Sequence, residues 1–320
     1  MSVELLCMGE PMLEFNQLPT GADGTRHYLE GYGGDTSNAA IAAARQGARV
    51  GYITTLGRDM PGDRFVGLWE KEGVDTSCVK RTDQYQTGVY FVTHDEAGHH
   101  FLHYRTGSAA AMFSVADVPI EAIASARILY VSGISQGISV SACDAVFAAI
   151  DVAVRNGVKV AYDTNYRPRL WPPARAAAVM HAAMGQATYA LPGEEDVRTL
   201  TGLTDPDAML DFYLRLGPKV VVLRLGEAGA YLATAEARVR IPAHRVELVD
   251  ATGAGDTFCG SFLARILAGD EPEAAARYAG VAAALACTGY GAVGPIPRAD
   301  AVRQALGGGN RPPAAITEPR

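Results

Sequence analysis

The chain has 320 residues, 48% hydrophobic and 20% charged, and 28 Lys and Arg against 35 Asp and Glu leave a net charge of −7. This is a globular composition rather than a disordered one, and its mild acidity argues against a nucleic-acid backbone or an anionic membrane as the main partner, since both need basic surface. Five scattered cysteines (Cys7, Cys78, Cys143, Cys259, Cys287) without a CxxC motif fit a reduced, cytoplasmic protein, and no export signal or spanning helix is expected.

In chain order, short apolar runs at 3–8, 50–56, 128–132, 158–163, 188–191, 220–225 and 229–233 read as strands buried on both faces. Amphipathic, Ala-rich helices are expected between them at 36–46, 63–71, 140–156, 174–185, 194–201, 207–216, 254–268, 271–288 and 298–306. The alternation predicts an α/β fold: a doubly wound, mainly parallel sheet with helices on both faces and ligands at the C-terminal strand ends. Residues 12–17 and 26–31 suit antiparallel strands, and 87–94 and 101–105 suit a hairpin around a turn at 95–98. These pieces, at about 12–33 and 87–106, make either a small β-sheet lid or an ordinary edge hairpin. Residues 1–306 read as one domain, and 307–320, with three glycines and Pro312-Pro313, as a disordered tail.

Two segments carry chemistry. From Asp250 to Asp256 the chain runs through Thr252, Gly253, Ala254 and Gly255 into a helix. Small residues there let the backbone turn sharply, so that amides and the positive end of the helix dipole form an anion site. Asp256 in the first turn could accept a proton from a hydroxyl attacking phosphorus, or merely favour the dipole. The other segment is Gly33, Gly34, Asp35, Thr36 and Asn38. Its glycines allow close approach of a ligand, and Asp35 and Asn38 could bind sugar hydroxyls; helix capping by Asp35 or Thr36 is the alternative. Neither a GxGxxG dinucleotide fingerprint nor a Walker A motif is present, which argues against an NAD-dependent dehydrogenase.

Together, Gly33-Gly34 with Asn38 and Asp250 to Asp256 resemble the two signatures of the ribokinase-like (PfkB) carbohydrate kinases, and the resemblance extends over roughly residues 3–306. It implies a Rossmann-like domain with a β-sheet lid, ATP as phosphoryl donor with Mg²⁺, Asp256 as catalytic base, and Gly253, Ala254 and Gly255 as anion hole. It also implies nucleotide contacts at Asn165, Arg167, Leu225, Gly226, Gly229, Gly253 and Gly255. A monovalent cation, K⁺, falls to Asp250 and Thr252. Glu195 matches the metal-linked Glu of an Asn-x-x-Glu element, with Pro192 at the Asn position.

Tyr104, Arg105 and Ser108-Ala109-Ala110, with Asp163, Asn165, Arg167, Pro168, Leu170 and Trp171, resemble elements of the 2-keto-3-deoxygluconate kinases in that family. The implied reaction is ATP-dependent phosphorylation of the sugar acid's C6 hydroxyl. Its carboxylate suits a guanidinium, from Arg105 or Arg167, although Arg167 could instead meet ATP phosphates. Tyr90 and Tyr104 would pack on the carbon skeleton or simply pair across the hairpin. His94, His99, His100 and His103 read as a solvated turn, with His103 at the strand end facing the substrate as the alternative; Arg169 reads as a solvated charge, and Trp171 and Cys259 as packing. A kinase for a neutral sugar such as fructose or ribose, and a non-catalytic sugar-binding protein, are the alternatives. A homodimer through the lid is expected from its open sheet.

Overall fold

The computed structural model describes residues 2–21, 23–95 and 98–307, so the expected tail lies outside the described residues except for Gly307, which ends a helix. In chain order the strands are β1 (Leu5–Met8), β2 (Met12–Gln17), β3 (Tyr28–Gly33), β4 (Val50–Gly57), β5 (Val79–Thr82), β6 (Val89–Asp95) and β7 (Gly98–Tyr104). They continue with β8 (Ile128–Ser132), β9 (Lys159–Asp163), β10 (Tyr189–Ala190), β11 (Val220–Arg224), β12 (Ala230–Ala233) and β13 (Arg238–Ile241).

Nine of them form one sheet in the order β13-β12-β11-β10-β9-β8-β1-β4-β5, parallel from β11 to β5. Successive residues bury on opposite faces, as the pleat demands. Leu5, Cys7, Tyr52 and Val222 enter one core with the helices Asp35–Arg45 and Ala254–Ala268. Leu6, Met8, Ile53 and Val221 enter the other, with the helices Val140–Arg155 and Pro173–Met184. This bears out the doubly wound α/β reading. Strand β12 runs antiparallel to β11 because Leu225–Gly229 is far too short for a crossover between parallel strands. Strands β5 and β13 lie at the sheet edges, and their Lys80, Arg81, Arg238 and Arg240 hide them from a search for apolar runs.

The hairpin β6–β7 is not an edge of this sheet. It joins β2 and β3 in a second sheet of order β3-β2-β6-β7, with β2–β6 the one parallel pairing. Both sheets diverge from one place. The large sheet's order reverses at β1, between β8 and β4, and the chain leaves β1 through Gly9, Glu10 and Pro11 directly into β2. A crevice at such a reversal is where open α/β sheets bind ligands.

The helices Asp35–Arg45 and Ala254–Ala268 cross over this crevice at backbone contact. A side chain at Gly260 would start 2.1 Å from the Ala39 carbonyl oxygen and 2.8 Å from Ala42 Cβ. Only small residues permit that approach, and it brings the first turns of both helices to one spot.

Candidate active site

Asp256 lies in the first turn of its helix, where Gly253 holds the N-cap with φ 75°. Of the opening amides, that of Ala254 is taken by the Ala251 carbonyl at 3.1 Å, and the helix geometry turns the next ones outward. Asn38, at the crossing, donates from Nδ2 to Asp256 Oδ2 at 2.9 Å. Burial and the Asp35 carboxylate push the Asp256 carboxyl up to about 7, with Asp163 adding to the rise and Asn38 and the Arg167 guanidinium opposing it. A carboxylate poised there is half ready to release and half ready to accept a proton at neutral pH.

Gly34, not Asp35 or Thr36, holds the cap position of the helix Asp35–Arg45, and no side chain caps it. Its φ of 114° and the Glu10 carbonyl, 2.6 Å from where a side chain would begin, require glycine. At Gly33 a side chain would start 2.6 Å from Tyr90 Oη. The buried Asp35 carboxylate accepts Asn165 Nδ2 at 2.9 Å through Oδ2. Asp35 Oδ1 and Asn38 Oδ1 are buried and have no partner among the described residues. Two buried acceptors without donors suit the hydroxyls of a polyol.

Asn165 is thus tied to Asp35 across the crevice. It is the one non-glycine with positive φ among the described residues, at 36°, a strained geometry that its bond to Asp35 and its own amide's bond to Asp163 Oδ1 (3.2 Å) hold in place. Asp163 ends β9, is fully buried, and pairs with Arg224 at the end of β11. Arg224 also donates to Cys259 Sγ at 3.3 Å, and its Nη1 lies 2.7 Å from where a Gly255 side chain would begin. Arg224 escaped the sequence reading because it ends an apolar run like any strand-terminal charge. Leu225, Gly226 and Gly229 follow it directly in a tight turn, with the Leu225 amide bonded to the Gly229 carbonyl at 2.8 Å.

The small sheet turns one face to the crevice. Tyr90, paired across from His103, stacks on that imidazole at 5.4 Å and donates its hydroxyl to Glu14. Tyr104 lies on the opposite face, 60% exposed and in edge contact with Phe91 at 6.0 Å. So the structure brings Tyr90 to the site but not Tyr104. His103 takes the crevice side, the alternative to a place in a solvated turn. Loss of solvent and the guanidiniums of Arg105, Arg169 and Arg167 push its ring down to about 4. It is neutral at physiological pH and able to donate and accept a hydrogen bond. Arg169 is tied to the Phe101 carbonyl at 2.8 Å, so it is a held charge.

The two arginines differ. Arg105 is paired with Glu10, whose side chain is fully buried. Arg167 is exposed, bonds only its neighbour's carbonyl (Tyr166 O, 3.0 Å), and has no acidic partner among the described residues. Glu195 is exposed on the helix Glu194–Thr201. The next residue, Asp196, faces the site loop instead, accepting Thr164 Oγ1 at 2.7 Å and the Tyr166 amide at 3.1 Å. Asp250 Oδ1 accepts the Thr252 amide (2.9 Å) and hydroxyl (2.6 Å), and Oδ2 accepts the Gly291 amide at 2.9 Å. Both residues thus shape the loop before the anion site.

Comparison with known proteins places the chain in a family. Residues 4–299 match the model of the pfkB family carbohydrate kinases. A 2-dehydro-3-deoxygluconokinase of Thermoproteus tenax is 33% identical over 289 residues, covering 88% of each chain. One from Escherichia coli (strain K12) is 32% identical over 312 residues, covering 93% of this chain and 98% of that one. The crystal structure of a PfkB protein from Polaromonas sp. JS666 superposes with a TM-score of 0.86 at 29% identity, over 94% of this chain and 99% of that one. The chain belongs to the pfkB family of carbohydrate kinases. It is a phosphotransferase acting on a sugar hydroxyl.

Proposed function

From that membership, we propose that the enzyme transfers the γ-phosphoryl group of ATP to the C6 hydroxyl of 2-keto-3-deoxygluconate (2-dehydro-3-deoxygluconate), giving 2-keto-3-deoxy-6-phosphogluconate and ADP. Asp35 and Asn38 accept hydroxyl hydrogens of the sugar, and Tyr90 and His103 cover it from the small sheet. Asp256 takes the proton of the attacking hydroxyl as its oxygen bonds to phosphorus and the ADP oxygen leaves. The outward amides of the Gly253–Ala254–Gly255 turn stabilise the charge on the transferring group. Leu225, Gly226 and Gly229 border the nucleotide. Mg²⁺ would be held mainly by the ATP phosphates, with one or two carboxylates of the chain at most. A potassium ion at Asp250 and Thr252 would act on the loop rather than on the reacting atoms.

The observation that carries the sugar-acid choice is Arg167, an exposed guanidinium at the crevice that forms no ion pair among the described residues. A neutral sugar is the second reading, favoured by the charge compensation of Arg105 by Glu10. ADP release with 2-keto-3-deoxygluconate, fructose and ribose separates them, and saturable binding without ADP release would indicate a non-catalytic binder. Replacing Arg167 by Ala is expected to raise KM for the acid about 10- to 100-fold, the worth of a charged hydrogen bond. Because Arg167 also holds the Asp256 carboxyl down, the acid limb of the pH profile should move upward in the same variant.

The far face of the small sheet exposes Tyr28, Leu102 and Tyr104 around Phe91 and Phe15, which stack at 5.3 Å. A second copy of the chain would cover this apolar face. Replacing Tyr104 by Glu should then shift the protein from dimer to monomer in sedimentation. A monomeric wild type overturns the dimer. No helix among the described residues is long and apolar enough to cross a membrane. The five free cysteines support a reducing, cytoplasmic setting.

A further inference from the structure

We infer that Glu10 is a positioning residue that fixes Arg105 as a charge-compensated hydrogen-bond donor for the substrate carboxylate, an inference that rests on the sugar-acid reading above. Glu10 lies in the three-residue passage from β1 to β2, where the two sheets diverge, with its side chain wholly buried. One of its carboxylate oxygens meets Arg105 Nη2, and the other accepts Ser108 Oγ at 3.0 Å. Arg105 leaves the end of β7 with its side chain only 13% exposed. Its Nε is buried and has no acceptor among the described residues. So the guanidinium is anchored through one nitrogen and presents another donor with nothing to meet.

A buried donor rarely stays without an acceptor, and the guanidinium that carries it is the one beside the crevice. The ion pair adds no net charge to the crevice, so Arg105 cannot attract an acid by field alone. What the pair supplies is direction: a long side chain held in one rotamer, which loses no further freedom when the ligand arrives. A positive charge outside any ion pair among the described residues comes from Arg167, whose guanidinium also acts on the Asp256 carboxyl. Two arginines that look equivalent in the sequence thus divide the work, one attracting and one orienting.

The two views of Glu10 predict opposite signs. If only charge mattered, Glu10→Gln would add one positive charge to the site and tighten binding of an anionic sugar. If Glu10 positions Arg105, the same variant weakens it. The expected result is a KM for 2-keto-3-deoxygluconate raised about tenfold, with KM for ATP unchanged. Glu10→Asp should restore part of the loss. A KM for the acid that falls or stays constant overturns the inference, as does a rise shared equally by ATP. Should Glu10→Gln fail to fold, Ser108→Ala frees one Glu10 oxygen while leaving the ion pair. A smaller rise confined to the acid then supports the inference, and none overturns it. Wild type that phosphorylates fructose or ribose but not the acid overturns the sugar-acid reading itself, and this inference with it.

Discussion

Replacing Asp256 by Asn is expected to lower kcat by about 10²- to 10⁴-fold, the range that a positioned general base contributes. The amide has the same shape and its oxygen can still accept the 2.9 Å bond from Asn38, so the first turn of the helix and the anion site should stay intact. What disappears is the proton acceptor. The wild-type pH profile provides the companion test. A base works unprotonated, so kcat/KM should fall with unit slope as pH drops below about 7, where the Asp256 carboxyl is poised, and level off above. Near-normal turnover in the variant would remove Asp256 as the base.

Stability should move the other way from activity. The folded-state carboxyl binds its proton more tightly than the unfolded one, so between about pH 4 and pH 7 the native state holds more protons and stability falls as pH rises. Asn carries no such burden beside the Asp35 and Asp163 carboxylates. The variant should therefore melt higher than wild type at pH 8 and approach it toward pH 4. A site that gains stability when its reacting group is removed has been shaped for chemistry rather than for folding.

The second large effect is expected at Arg224. Replacing it by Met leaves Asp163, fully buried at the end of β9, without its ion-pair partner. Breaking a buried pair from one side costs about 3–5 kcal/mol, a large share of the 5–15 kcal/mol typical of a folded domain, roughly speaking. Burial already raises the Asp163 carboxyl against the pull of Arg224. With the cation gone it rises further, the native state takes up the proton, and the deficit should be largest at high pH and shrink as pH falls. Urea unfolding at pH 8 and pH 5.5 measures both. Adding Asp163→Asn should recover most of the loss. Activity should fall as well, since Arg224 packs against Gly255 in the anion site. A single variant as stable as wild type at pH 8 would show that the pair contributes nothing.

Much of this molecule was legible in its residue order. Alternating apolar runs and Ala-rich helices specify the doubly wound sheet because burial on both faces leaves few other ways to satisfy them. The glycine turn before Asp256 and the Gly33-Gly34 pair are local backbone requirements, so they can be read locally. The crevice position of His103 was legible as an alternative. The register pairs Asp95 with Gly98 and hence Tyr90 with His103, and counting outward from the turn puts Tyr104 on the far face. Adjacent residues in a strand point apart, so an error of one position changes the face entirely. Neighbours on a helix diverge too, by about 100°, which leaves Glu195 exposed while Asp196 is bonded to Thr164 and Tyr166.

Other features come from parts of the chain far apart in sequence. Asn38 meets Asp256 across 218 positions because Gly260 lets two helices touch at Ala39. Asn165 reaches Asp35 across 130 positions, which ties the loop after β9 to the first turn of the helix Asp35–Arg45. Glu10 finds Arg105 only because β1 runs directly into the second sheet, and Arg224 finds Asp163 only because β9 and β11 flank the two-residue β10. Charge pairing inside a protein depends on which ends the chain brings together, and a guanidinium's partner is not written next to it. That is why two similar arginines in one motif-rich chain became, on folding, one compensated donor and one exposed charge.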